Sequence, residues 1–109
     1  MIRPIPVSLL IHEVTYEEPI PDDGWSEESY KPAITLKNVR VESSSNIKRT
    51  NTGEQILYKS LLIVDVVNSS PIPEFKEKSK VTFNGDVMYV NKVNPIHAFT
   101  LHHYEIELT

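Results

Sequence analysis

The residues best equipped for chemistry are four histidines, His12, His97, His102 and His103, and three adjacent carboxylate pairs, Glu17-Glu18, Asp22-Asp23 and Glu27-Glu28. Neighbours on a strand point to opposite faces, so His102 and His103 could join His97 or His12 around a metal only if a bulge aligned them. Satisfied or exposed histidines are the simpler reading. The paired carboxylates could serve acid-base work or calcium, yet they share one polar segment that offers no burial to shift a pKa, and the EF-hand spacing is missing. A Ser/His/Asp set drawn from Ser43 to Ser45, the histidines and Asp65 lacks a nucleophile-elbow motif. Gly24, Gly53 and Gly85 are about thirty residues apart, which excludes a Walker loop or dinucleotide fingerprint. The chain has no cysteine, which removes disulfides, thiolate metal sites, iron-sulfur clusters and cysteine nucleophiles together, and fits a reducing compartment. Neither an enzyme activity nor a cofactor is expected.

Charge is placed unevenly along the chain. Residues 1 to 30 hold Arg3 against seven acids, a local balance of -6, whereas the whole chain carries -4. Such a balance argues against generic nucleic-acid or anionic-membrane binding. Residues 17 to 32 read as an acidic arm or loop, extended by its own like charges or docked on a basic surface of a neighbouring copy. Glu17, Glu18, Asp22 and Asp23 would make that contact. Trp25 would anchor the arm to its own domain or enter a partner pocket. Lys48 and Arg49, flanked by Asn46 and Thr50, sit in a polar stretch of low core-forming content from 43 to 55 that reads as a mobile loop. The alternating Lys76, Lys78 and Lys80 fit an exposed strand entry that discourages edge pairing.

These side chains need a scaffold, and the composition is β-rich: 11 Val, 11 Ile and 7 Thr stand against 2 Ala, 8 Leu and 2 Met. At 109 residues and 12.5 kDa there is room for one domain with one modest core. The apolar run Ile5 to Ile11 is too short for a membrane span and lacks a small-residue cleavage site, so no targeting segment is expected. Strands are expected at Val7 to Tyr16, Ala33 to Glu42, Ile56 to Val67, Val81 to Phe83, Val87 to Val93 and Phe99 to Leu108. In the second strand the apolar frame moves from Ile34 and Leu36 to Val39 and Val41, which predicts a β-bulge at Lys37 or Asn38. A like shift in the last strand predicts a bulge near His102 and His103. The third strand alternates apolar residues on both faces, as if covered on both sides. Glu74 to Lys80 has room for one helical turn. Asn84-Gly85 or Gly85-Asp86 marks a tight hairpin, and either register puts Val81 and Phe83 on the face of Met88 and Val90. The three Pro-Ile-Pro motifs lack a repeat unit and read as extended connectors. The sum is an all-β, single-domain barrel or sandwich of about six strands with long polar loops.

The stretch Phe75-Lys76-Glu77-Lys78-Ser79-Lys80-Val81-Thr82-Phe83-Asn84-Gly85-Asp86-Val87-Met88-Tyr89-Val90-Asn91-Lys92-Val93, followed by His102-His103-Tyr104-Glu105-Ile106-Glu107-Leu108, resembles the minor capsid protein family of tailed phages and prophages. More broadly it is similar to their head-closure, or stopper, proteins. Ile5 to Leu10 with Val14-Thr15-Tyr16 resembles the family opening. The resemblance implies a structural virion protein, made in the bacterial cytoplasm and forming a ring of about a dozen copies with heterologous contacts. The ring would sit between adaptor and portal on one side and tail on the other, retaining packaged DNA. Residues 43 to 53 would project into the channel, with Lys48 and Arg49 in non-specific contact with DNA. No membrane partner is implied. A reading from another class is a small barrel binding nucleic acid or a small ligand; the missing row of stacking aromatics and the negative charge count against it.

Overall fold

A computed structural model describes the backbone of residues 3–20, 29–50 and 53–109 and the side chains of residues 3–20, 29–43 and 60–109. Eight strands are present among these residues: β1 His12–Glu17, β2 Pro19–Ile20, β3 Ser29–Tyr30, β4 Ile34–Thr50, β5 Gly53–Asp65, β6 Lys80–Phe83, β7 Asp86–Ala98 and β8 Thr100–Leu108. Six of them close into an antiparallel barrel in the order β1-β4-β5-β8-β7-β6, while β2 and β3 form a separate two-stranded sheet. Pairing of Thr15, Tyr16 and Glu17 with Thr82, Val81 and Lys80 seals the barrel, so it has no open edge there. The lysines at 76 to 80 therefore guard no edge.

Alternation along each strand fills the interior. Val14 and Tyr16 of β1, Leu36, Val39 and Val41 of β4, Leu62 and Val64 of β5, Val81, Met88 and Val90 of the β6-β7 pair, and Ile106 and Leu108 of β8 form one buried cluster. The phase change in β4 occurs at Asn38, which is skipped between the pairs His12–Val39 and Glu13–Lys37. Its φ of +56° lies in the left-handed region that asparagine tolerates. The predicted bulge is thus present, and it turns both halves of the strand inward. In β8 the register likewise skips His102, between Ile96–His103 and His97–Leu101. Asn84 and Gly85 have φ of +50° and +84° and connect Phe83 to Asp86, the tight turn that matches the twist of the flanking strands.

Several expected boundaries move, each for a local reason. Val7–Leu9 is a short 3-10 turn rather than strand, because Pro6 enters with φ of -57° and its carbonyl accepts from Leu9 N–H at 2.9 Å. β5 is not covered on both sides. Its outward Leu61 and Ile63 are half-buried and face charged cross-strand partners, Glu42 and Arg40 on β4 and Glu107 and Glu105 on β8. β7 runs through Pro95 to Ala98, which a proline allows because β6 pairs only as far as Tyr89 and leaves that side of β7 free. Phe99, expected inside the last strand, instead links β7 to β8 with φ of +68° and is 96% exposed.

No helical turn forms at 74 to 80. That segment is tied down by Tyr16, which is fully buried and whose hydroxyl accepts from Lys76 N–H at 2.9 Å and lies 2.8 Å from Ser79 Oγ. Phe75 completes the seal, edge-on to Tyr16 at 5.3 Å and to Tyr104 at 5.1 Å. Phe83 is only half-buried, with its ring 4.8 Å from that of His12.

Candidate functional site

The segment expected as a loop from 43 to 55 is largely strand. β1 covers β4 only up to Val39, and β8 covers β5 only from Ser60 onward. Beyond those points β4 and β5 have only each other, pairing Asn46 with Tyr58, Lys48 with Gln55, Arg49 with Glu54 and Thr50 with Gly53. The result is a two-stranded ribbon continuing past the barrel wall. Its polar composition does not mean an absence of pairing: Ser, Thr, Asn and Lys carry the same ladder bonds as valine. Register shifts between Ser43 and Asn46 and between Asn46 and Ile47 break the apolar alternation that would have marked these strands. Asn46, Lys48, Arg49 and Thr50 are thus gathered on the outer part of β4; their side chains, like residues 51 and 52, lie outside the described residues.

The acidic arm divides. Glu17 ends β1 with its carboxylate 3.5 Å from Lys80 Nζ, and Glu18 is held by Lys31 and Lys76, each at 2.7 Å. Hydrogen bonds from Lys31 and then Lys76 keep the Glu18 carboxyl below the usual glutamate range, and the same contact raises Lys76. Lys80 also lies over the ring of Tyr30 at 4.6 Å. These two acids therefore meet bases of their own chain. The ion pairs pin the β2-β3 sheet beside the barrel and leave a groove of about 910 Å³ between it and β7, lined by Tyr30, Lys31, Lys76, Lys78, Tyr89 and the terminal Thr109. Asp22, Asp23 and Trp25 lie outside the described residues.

A third cluster joins the N-terminal segment to the barrel, and its organiser is Asp65. This carboxylate is fully buried and accepts from the backbone N–H groups of Ile5, Val67 and Asn68 at 3.0, 3.0 and 2.8 Å. Those bonds occupy both oxygens, so Asp65 does not orient a histidine. Ser69 accepts from Asp65 N–H and donates to the carbonyl of Asn38, and Asn38 Nδ2 reaches the carbonyl of Asn68 at 3.2 Å. The turn after β5 thereby locks onto the β4 bulge. The bulge at His102 brings the two imidazoles together, Nδ1 to Nδ1, at 2.8 Å. No group of three or more His, Asp or Glu side chains among the described residues is arranged to hold a metal. A buried aspartate directly before Val-Val-Asn-Ser-Ser was the available sequence signal for this turn, since Asp commonly caps the amides two and three residues on.

The family of minor capsid proteins matches residues 6–108. The chain belongs to that family. No curated protein and no solved structure matches it. Membership covers the whole barrel together with the ribbon and the arm, and points to a non-enzymatic structural component of a phage, with the virion as its location. No helix among the described residues is long and apolar enough to cross a membrane.

Proposed function

We propose that this minor capsid protein is a head-closure subunit. It forms a ring of about a dozen copies between the adaptor and portal side of the head and the tail, and heterologous contacts close such a ring. The supporting observation is the β4-β5 ribbon, which continues past the barrel with Lys48 and Arg49 near its outer end. A paired ribbon supports itself by ladder bonds without a core, so it can reach into a channel and obstruct it while the barrel remains in the ring wall. Basic residues there suit a surface beside DNA phosphates, and their effect falls off over about 8 Å at physiological salt. The two acids paired within the chain leave Asp22, Asp23 and Trp25 as the arm's contribution to a neighbour or to the adaptor.

DNA retention in tailless heads carrying each variant tests this reading. Deleting the outer ribbon, residues 46 to 56, leaves the barrel strands intact and should give heads that incorporate the protein but lose DNA. Lys48→Ala with Arg49→Ala should leak less, because the neighbouring ribbons still obstruct the pore, and the leak should grow at low salt. Full retention after the deletion would overturn the plug role.

A further inference from the structure

We propose that His102 and His103 form a proton-operated clasp on the N-terminal segment. The contacts set a count of hydrogens. His102 Nε2 lies 2.7 Å from the carbonyl oxygen of Arg3, which can only accept, so Nε2 carries a hydrogen. The Nδ1 atoms of the two rings, 2.8 Å apart, need one hydrogen between them. His103 Nε2 lies 3.3 Å from the Glu105 carboxylate and donates to it. Three hydrogens on two rings is one positive charge, and every polar atom of the pair is then used.

A fourth hydrogen has no acceptor. It would set two N–H groups, on two imidazolium rings, against each other at 2.8 Å, and one ring has to turn away. His102 is the freer: its other contact is to the chain at Arg3, whereas His103 is held by a carboxylate. Turning His102 withdraws Nε2 from Arg3 and unlatches the segment's first residues, while Ile5 remains fixed through Asp65 and through Asn68 Nδ2, which donates to the Ile5 carbonyl at 2.7 Å. Removing a hydrogen instead empties the Glu105 contact and leaves the clasp shut. The clasp is therefore closed with a charge of zero or one and open with two.

The charged and titratable groups facing the pair come from four elements. Glu105 is on β8 itself. Asp65 on β5 is opposite His103, but its carboxylate is spent on backbone N–H groups. On β7, Ile96 faces His103 and the exposed His97 is paired with Leu101. Arg3 brings an exposed guanidinium on the segment being held. Among the described residues facing the pair, only the two imidazoles place ionisable nitrogens in mutual contact.

The test is imidazole ¹⁵N NMR on the full chain, read with the heteronuclear NOE of the Arg3 amide, from about pH 8 to about pH 5, the range in which histidine rather than carboxylate charge changes. His102 should carry its hydrogen on Nε2 when neutral, and Arg3 should lose order in step with the second proton on the pair. His103→Asn lets His102 charge without facing another cation, so Arg3 should stay ordered over the same range. His102→Gln keeps a donor that does not titrate and should also remove the pH dependence. A hydrogen on His102 Nδ1 alone, an Arg3 amide unchanged in the native chain, or pH-dependent loss that persists in His103→Asn would each overturn the clasp.

Discussion

Replacing Tyr16 by phenylalanine removes one buried oxygen with two hydrogen-bond partners, and the structure says what that oxygen does. Ser79 Oγ donates its single hydrogen to the carbonyl of Lys76 at 2.6 Å, so in the 2.8 Å contact the Tyr16 hydroxyl is the donor and Ser79 the acceptor. The same phenol oxygen accepts from Lys76 N–H. Tyr16→Phe thus deletes two hydrogen bonds and strands a part-buried amide, while the ring and its edge contact with Phe75 remain. Two neutral bonds at about 1 kcal/mol each, with some penalty for the orphaned N–H, predict a loss of about 2 to 3 kcal/mol. For a domain of this size that lowers the melting temperature by about 10 °C. Ser79→Ala should cost a similar amount, and the double variant should lose about 1 kcal/mol less than the two single losses together, because the shared bond can be lost only once. Urea unfolding of the four proteins measures all three values. Strict additivity, or a Tyr16→Phe loss below about 0.5 kcal/mol, would show that the 71 to 79 segment is held by apolar packing and not through this phenol.

Two further perturbations probe the bulge and the arm. Asn38→Gly keeps the backbone at φ of +56° and loses only the exposed bond from Asn38 Nδ2 to the Asn68 carbonyl, whereas Asn38→Val loses that bond and also strains the backbone, so Val should cost about 1 to 2 kcal/mol more than Gly in urea unfolding; deleting Asn38 should abolish cooperative unfolding, since Val39 and Val41 would then turn to the outside. Glu18, its pKa lowered by Lys31 and Lys76, contributes stability that is present above its unfolded value and is lost as pH falls through the folded one. Glu18→Gln should therefore flatten the decline of the urea midpoint just below the ordinary glutamate range, and an unchanged profile would remove Glu18 from the acid response.

The fold was legible wherever one face of a strand is buried. Val14 with Tyr16, Leu62 with Val64 and Ile106 with Leu108 alternate because their partners across the barrel are apolar, and a slip of frame in such a strand must be a bulge. Both bulges were readable on that logic, at Asn38 and at His102. Closure by β1 and β6 was not, because the pairing of Tyr16 with Val81 is a long-range choice that no local pattern encodes. Turn chemistry was legible at Asn84-Gly85, which needs positive φ, and hidden at Phe99, which adopts it without the usual residue type.

The site was harder to read than the fold for one physical reason: among the described residues no further strand pairs with the ribbon. Burial writes itself into sequence as apolar periodicity, but a ribbon paired only with itself keeps its backbone bonds whatever its side chains are, and its sequence is free to serve another surface. Ser43 to Thr50 therefore looks like a loop while being a strand. The same freedom applies to the arm, where the run of acids did not reveal that Lys31 and Lys76, thirteen and fifty-eight positions away, meet Glu18. Charge runs record which sign a surface carries and say little about which partner neutralises it. The histidine pair falls between these cases. Its alignment follows from a bulge that the apolar frame of β8 demands, so the core, by fixing where the extra residue goes, also fixes that two titratable rings must meet over the N-terminal segment.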